Sequence, residues 1–403
     1  MAVVASAFAM GPSAAADVPF DERKLESLME RSDVDVVLAS SRHNTRYLTG
    51  GYYHWFHARM ARAAAQRYLS FVGIPRGRLQ DAFFIGGMTE EAGLASHDMW
   101  IPDRHLTEPR RSPFFQSARA ATEGALRCLR RRGLTAGRVG VELDFLPASA
   151  YRRLQAELPD AELVDATGLL GELRAVKTPA EVEILRRNAA GSVEAVQAAL
   201  AASGPGDTTA LIHRRLLSEM ALRDLELQWL IICMGPDGMT TKWPSGRAWA
   251  DGEVLRVDPG SSSGDYVADL CRMACLGEPS ARAERMIEDC IAVNDRLQAE
   301  IRPGMTCGEL NERGQRLLAE TAYAEHGWHI VHGCGMVPHE PPVVRGDPAC
   351  VLREGMVMSM ETEFQHPEVG DIKMEDIVAV AAGGCECLTP AARSWIRPGA
   401  AGC

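Results

Sequence analysis

Three histidines, His329, His332 and His339, stand in the stretch HIVHGCGMVPHEPP (329–342), the last two among glycines and prolines. An imidazole held in such a segment can bind a metal or move a proton. The acidic residues narrow that choice. The segment EVLRVDPGSSSGDYVADLCRMACLG (253–277) reads as two strands around SSSG. A tight turn between Ser263 and Gly264 would place Asp258 directly opposite Asp269 across an antiparallel pair. Further on, VMSMETEF (357–364) and IKMEDIVAV (372–380) read as two more strands. A hairpin centred on Glu368 would set Glu361 opposite Glu375, and Glu363 opposite Lys373. Like charges facing each other are destabilising unless something positive lies between them. Two acidic pairs with one imidazole form an oxygen-rich donor set, suited to one or two divalent ions such as Mn, Fe, Co or Zn.

These side chains need a scaffold, and 403 residues are enough for two domains. With 46% hydrophobic and 24% charged residues the balance is that of a soluble globular protein. No apolar run reaches the ~18–20 residues of a membrane helix. A net charge of −11 and the lack of a basic stripe argue against a nucleic-acid partner. The eleven cysteines include no Cys-x-x-Cys pair and read as mostly free thiols in a reducing compartment, the cytoplasm. Residues 1–20 have an apolar run without a positive start, and read as a flexible leader rather than a signal peptide.

Residues 21–172 alternate helix and strand signals. VDVVLASS (34–41), LSFVGIPRG, DAFFIGG, RVGVELD (138–144) and AELVDA (161–166) read as strands. DERKLESLMERS (21–32), SARAATEGALRCLRRRG (117–133) and ASAYRRLQAELP (148–159) read as helices. This alternation predicts a small α/β domain. A second domain, 173–403, opens with KTPAEVEILRRNAAGSVEAVQAALAAS, where Thr178 can cap a long helix with Pro179 in its first turn. Further helices are expected near 208–224, 279–301 and 306–325, and strands near 228–234, 253–258 and 266–276.

The order Asp258, Asp269, His332, Glu361, Glu375 resembles the pita-bread metallohydrolases, the family of methionine aminopeptidase, aminopeptidase P, prolidase and creatinase. The resemblance covers nearly the whole chain. SSRHNTRYLTG is similar to the N-terminal domain of the prolidase/creatinase branch, and RAVKTPAEVEILRRNA to the hinge that follows. RPGMTCGEL, HGCGMVPHEPP and LREGMVMSMET resemble later motifs. The implied fold is α/β (α+β): a creatinase-like α/β domain, then a pita-bread catalytic domain with a curved antiparallel sheet. The resemblance implies two divalent metal ions, with Asp258 on one, Asp269 and Glu375 bridging, and His332 and Glu361 on the other. The ions would share a water and lower its pKa toward neutral. Glu361 would shuttle the proton, and His339 would steady the developing charge. A homodimer is implied as well. Creatinase keeps the fold but has lost most of these ligands, so five filled positions disfavour a metal-free mechanism or a mere binding scaffold.

Three positions depart from the proline-specific peptidases. Lys242 (or Thr241 under a shifted alignment) stands where they carry a histidine, Lys373 where they often carry an arginine, and Trp328 where aminopeptidase P has a further histidine. The chain has four lysines, Lys24, Lys177, Lys242 and Lys373, so two of them fall at expected active-site positions. Lys242 is read as an anion-binding or acid/base residue. Lys373 is read as a substrate contact or as the ion-pair partner of Glu363. His329 and Trp328 are further substrate candidates, as is a wall of Tyr53, Trp55 and His57. Cys334 is read as a small filler and Asp265 as a turn residue. The expected activity is Xaa-Pro cleavage of short peptides. The alternative is a non-peptide small molecule, handled by an amidinohydrolase or by a metal-assisted lyase. One lyase acting on dimethylsulfoniopropionate belongs to the family.

Overall fold

The run VVLA carries no polar alternation because both faces of its strand are covered. β1 (Val36–Ala39) lies inside a six-stranded sheet with β2 (Phe71–Pro75), β3 (Phe83–Gly87), β4 (Asp103–Thr107), β5 (Ala136–Val141) and β6 (Asp160–Asp165), in the order β4-β3-β2-β1-β5-β6. Val36 and Leu38 point to one face, toward Ala125 and Leu129 of the helix Ala118–Arg131 and Leu154 of the helix Ala148–Glu157. Val37 and Ala39 point to the other, toward Leu25 and Leu28 of the helix Glu22–Arg31. Gly73 is required by close approach, since a Cβ there would lie 2.1 Å from the Phe83 ring.

The computed structural model describes residues 17–54, 68–87, 90–107 and 118–398. The chain divides into two units, Met1–Leu173 and Arg174–Cys403. Phe20, placed in the leader by the sequence reading, is buried in the first core, its ring centroid 5.7 Å from that of Trp100. The sequence reading did not place the helices Arg42–Leu48, Glu91–Ala95 and Thr167–Arg174.

The second unit holds two antiparallel sheets. One has β7 (Glu226–Met234), β8 (Val254–Ser263), β9 (Tyr266–Asp269) and β10 (Arg272–Cys275), ordered β10-β8-β7 with β9 also on β8. The other runs β11 (Gly327–Gly333), β12 (Val357–His366), β13 (Gly370–Ala381) and β14 (Gly384–Cys387). The strand expected over 266–276 is split in two, because Cys271 leaves the β8 ladder to bridge Glu375.

The helix Pro179–Ala201 begins with the expected Thr178 cap, as a full capping box with Glu181. It also holds the β8–β9 turn: Asn188 Nδ2 donates to the carbonyls of Ser263 and Tyr266 at 3.1 and 2.8 Å. The helix Ala281–Glu300 backs the second sheet. Its buried Asn294 donates to the carbonyls of Met360 and Met374, next to Glu361 and Glu375 in sequence, at 3.4 and 3.2 Å. Met360 and Met374 point into the core, so the strand period of two sends Glu361 and Glu375 to the opposite face.

Candidate metal centre

Glu361 and Glu375 are direct partners across the β12–β13 ladder, and so are Glu363 and Lys373, as the hairpin centred on Glu368 required. The other acidic pair differs. Asp269 lies opposite Gly260 rather than Asp258. The turn is centred between Gly264 and Asp265, both in the left-handed region at φ 60° and 67°. Such a two-residue turn suits an antiparallel hairpin. Partners therefore shift by two residues, and Asp258 stays on the same face as Asp269, offset along the strand.

His332, on β11 beside Ser359, brings its imidazole to the carboxylates. Its Nε2 lies 3.9 Å from Asp269 Oδ2 and 4.0 Å from both Glu361 Oε1 and Glu375 Oε1. A buried nitrogen thus faces three carboxylate oxygens beyond hydrogen-bond reach of each. Burial lowers the pKa of His332, favouring the neutral imidazole, which is the ligand form. Burial, then the Glu375 charge, push Asp269 well above the usual carboxylate range. The same two causes push Glu361 up to about 7. Metal bonds of about 2.1 Å leave neighbouring ligand atoms about 3–3.5 Å apart. A small inward shift of these donors therefore closes on a divalent ion, and the residues on this side fit one.

The Asp258 side already contains positive charge. Lys373, 5% exposed, points among the carboxylates. Its Nζ donates to Asp258 Oδ2 at 3.1 Å, lies 2.8 Å from Glu375 Oε2 and pairs with Glu361 Oε2. The expected ion pair with Glu363 is not formed, because Arg256 Nη1 holds Glu363 Oε1 at 2.8 Å. A substrate contact by Lys373 is likewise not what the structure shows, since its ammonium is enclosed by these oxygens. Burial opposes the ammonium, but the charges of Asp258, Glu375 and Glu361 overcome it and hold its pKa well above the usual value.

Arg256 was not picked out from the sequence. It is 3% exposed and binds Asp258 Oδ2 through Nε at 3.1 Å and Nη2 at 2.6 Å. Burial acts to raise the pKa of Asp258, but Lys373 and Arg256 outweigh it and keep the carboxyl ionised below the usual range. A signal was available: Arg256 and Asp258 are two apart on a buried strand, hence on one face, as are Asp371, Lys373 and Glu375. Lys242 Nζ lies 2.7 Å from Asp371 Oδ2 and 3.7 Å from Glu363 Oε1. It is joined to the cluster through this second row of charges, not through the five expected ligands.

His339 is exposed, its ring edge-on to His332 with centroids 4.3 Å apart. Trp328 is half-buried on β11, four residues before His332 and on the same face. His329 does not face the site. Three residues from His332, it points to the opposite face, buried with Nδ1 2.8 Å from Thr362 Oγ1. Burial pushes its pKa down to about 4. Its folded pKa thus lies below the unfolded value, and stability from the neutral ring is lost as pH falls from about 6.5 toward 4. Between pH 7 and pH 5, wild-type protein should lose about 2 kcal/mol more stability than His329→Gln. Urea titrations of both at the two pH values check this, and equal losses would refute it.

Asp265 is a turn residue and Cys334 is buried between two glycines, as expected. Tyr53 is half-buried, while Trp55 and His57 lie outside the described residues. The described cysteines other than Cys350 are free thiols. No helix among the described residues is long and apolar enough to cross a membrane.

An α/β first unit, followed by two antiparallel sheets that converge on carboxylates and an imidazole, is the architecture of a pita-bread metallohydrolase. Residues 183–382 match the model of metallopeptidase family M24, and residues 23–176 match that of the creatinase/prolidase N-terminal domain. The Xaa-Pro dipeptidase of Pyrococcus horikoshii is 25% identical over 266 residues, 64% of this chain and 74% of that protein. Creatinase of a Bacillus species is 26% identical over 397 residues, 91% of this chain and 89% of that protein. The solved structure of an Xaa-Pro dipeptidase from Bacillus anthracis superposes with a TM-score of 0.79 at 21% identity, covering 93% of this chain and 98% of that one. The chain belongs to metallopeptidase family M24, in the two-domain form with a creatinase/prolidase N-terminal domain. It is an enzyme of the metallohydrolase class, and its family implies divalent metal.

Proposed function

We propose that the enzyme is a divalent-metal-dependent hydrolase of the Xaa-Pro type, acting on short peptides. The observation that carries this is the His332 nitrogen facing Asp269, Glu361 and Glu375 at 3.9–4.0 Å within the M24 fold. Two of the relatives named above are Xaa-Pro dipeptidases. Asp269, His332, Glu361 and Glu375 are the metal-holding residues, with Asp258 beside them. A divalent ion there supplies Lewis acidity and lowers the pKa of a water. Glu361 takes a proton from the attacking water and returns it to the leaving amine. His339, exposed beside His332, donates to the carbonyl oxygen as negative charge develops. A homodimer and a cytoplasmic location belong to the same reading, the latter supported by the free cysteines.

A second reading, a small non-peptide substrate, draws support from the departures at Lys242, Trp328 and Lys373 and from the length of the creatinase match. Metal analysis, followed by assay of the Mn- or Fe-loaded enzyme on an Xaa-Pro dipeptide panel, separates the two. Turnover lost on chelation and restored by metal is expected. Bound metal without peptide turnover would favour the second reading, and a protein that takes up no metal would overturn the first.

A further inference from the structure

We propose that this enzyme holds one divalent ion, on the His332 side, and that the Lys373 ammonium occupies the place of a second. This rests on the metal-dependent reading and narrows it, since the resemblance implies two ions.

The two glutamates show the division. Each turns Oε1 toward the imidazole and Oε2 toward the ammonium: Glu375 at 4.0 Å from His332 Nε2 and 2.8 Å from Lys373 Nζ, Glu361 at 4.0 Å from His332 Nε2 with its other oxygen paired to Nζ. That is how carboxylates bridge two cations. Here one of the two positions is filled by a side chain of the protein itself. Asp258 is the third carboxylate at that position, with a ligand oxygen within 4.8 Å of those of Asp269 and Glu375. Its Oδ2 accepts from Lys373 at 3.1 Å and from Arg256 at 3.1 and 2.6 Å. One oxygen therefore serves two buried cations. A second divalent ion would have to displace the ammonium from three carboxylates while Arg256 stays fixed beside it.

Arg256 is fixed because it is tied on both sides. Beyond Asp258 it binds Glu363 at 2.8 Å and Asp371 at 3.4 Å, and Lys242 neutralises Asp371 from the outer side at 2.7 Å. The residue types suit this arrangement. An ammonium is a compact point charge with donors in several directions, close to the demand of a cation site, whereas a guanidinium is a planar fork. In a chain with only four lysines among 43 basic residues, a lysine stands at this position. Asp269, the fourth carboxylate, has no contact with Lys373 within ion-pair distance and faces His332, so it remains available to the single ion.

The test is metal stoichiometry on the full chain. Protein loaded with Mn(II) and dialysed is analysed by elemental mass spectrometry, and its electron paramagnetic resonance spectrum is recorded. Wild type should carry one ion per chain and give the signal of an isolated Mn(II), whereas Lys373→Met should carry two and give a spin-coupled pair. Two ions in wild type would overturn the inference and leave the metal-dependent reading intact. None at all would overturn both. One ion in wild type and still one in Lys373→Met would remove the ammonium as the cause. Should Lys373→Met not fold, calorimetric titration of metal-free wild type with Mn(II) still decides, with a stoichiometry of one expected and two refuting.

Discussion

Glu361→Gln is expected to lower kcat/KM for hydrolysis about 10³-fold, roughly 4 kcal/mol of transition-state stabilisation. The amide keeps an oxygen for the metal side but cannot carry a proton, and proton transfer is the role assigned to Glu361. In the metal-free site burial and the Glu375 charge push its carboxyl up to about 7, and a bound cation would lower it toward the ionised form that accepts a proton. The substitution should leave the fold in place, because Lys373 keeps Asp258 and Glu375 as partners. Metal content, thermal melting and kcat/KM are measured together on wild type and variant. A variant with full metal content and less than a tenfold loss would show that the proton moves elsewhere. Glu375→Gln makes a useful contrast. Glu375 lies between imidazole and ammonium, so its loss should appear first as weaker metal retention.

The Glu361–Glu375 pairing was legible from the sequence because one short loop, QHPEVGD, fixes the register of both strands. The Asp258–Asp269 pairing was misplaced by two residues for a local reason. The turn was centred between Ser263 and Gly264, whereas its two central residues are Gly264 and Asp265, with Asp265 in the left-handed region at φ 67°. Aspartate tolerates it better than most side chains. Moving the turn centre by one residue changed the partner of Asp269 but kept it on the same face, so the cluster survived the error. His329 was a different kind of miss. An odd separation from His332 already assigns it to the opposite face of β11, and strand parity alone would have excluded it.

The destination of Lys373 was not legible. Glu363 lies directly across the ladder, and Glu361 and Glu375 are within reach on the same face. Which of them the ammonium meets is decided by Arg256, which comes from the other sheet and claims Glu363 first. No pattern along β12 and β13 contains that information. It is a tertiary competition between cations for a shared set of carboxylates, and the electrostatics of the centre follow from its outcome.

Glu340→Ala should destabilise the protein by about 3–5 kcal/mol, the cost of leaving buried charge without its partner. Glu340 is buried with Lys177 Nζ 2.8 Å from Oε1 and Arg174 Nη2 3.1 Å from Oε2, and all three side chains are nearly inaccessible. Removing the carboxylate leaves the buried Lys177 ammonium without its ion-pair partner and takes one partner from Arg174. The effect should extend to catalysis, because Glu340 closes the loop that carries both histidines. Its backbone N–H donates to the Gly333 carbonyl at 3.1 Å, and Gly333 N–H donates to the Pro342 carbonyl at 3.0 Å. Gly335 leaves room for the carboxylate, since a Cβ there would lie 2.1 Å from Glu340 Oε1. The closure holds His339 against His332, and a shift of about 1 Å in such a group can cost about 10²-fold in rate. His339→Ala separates the two effects. That side chain is exposed, so its loss should reduce kcat while leaving the urea midpoint nearly unchanged. Glu340→Ala should reduce both, and Glu340→Asp, which keeps the charge, should recover part of each. Glu340→Ala unfolding at the wild-type urea midpoint would show that Lys177 and Arg174 find other partners, and the network would then be incidental to the placement of His339.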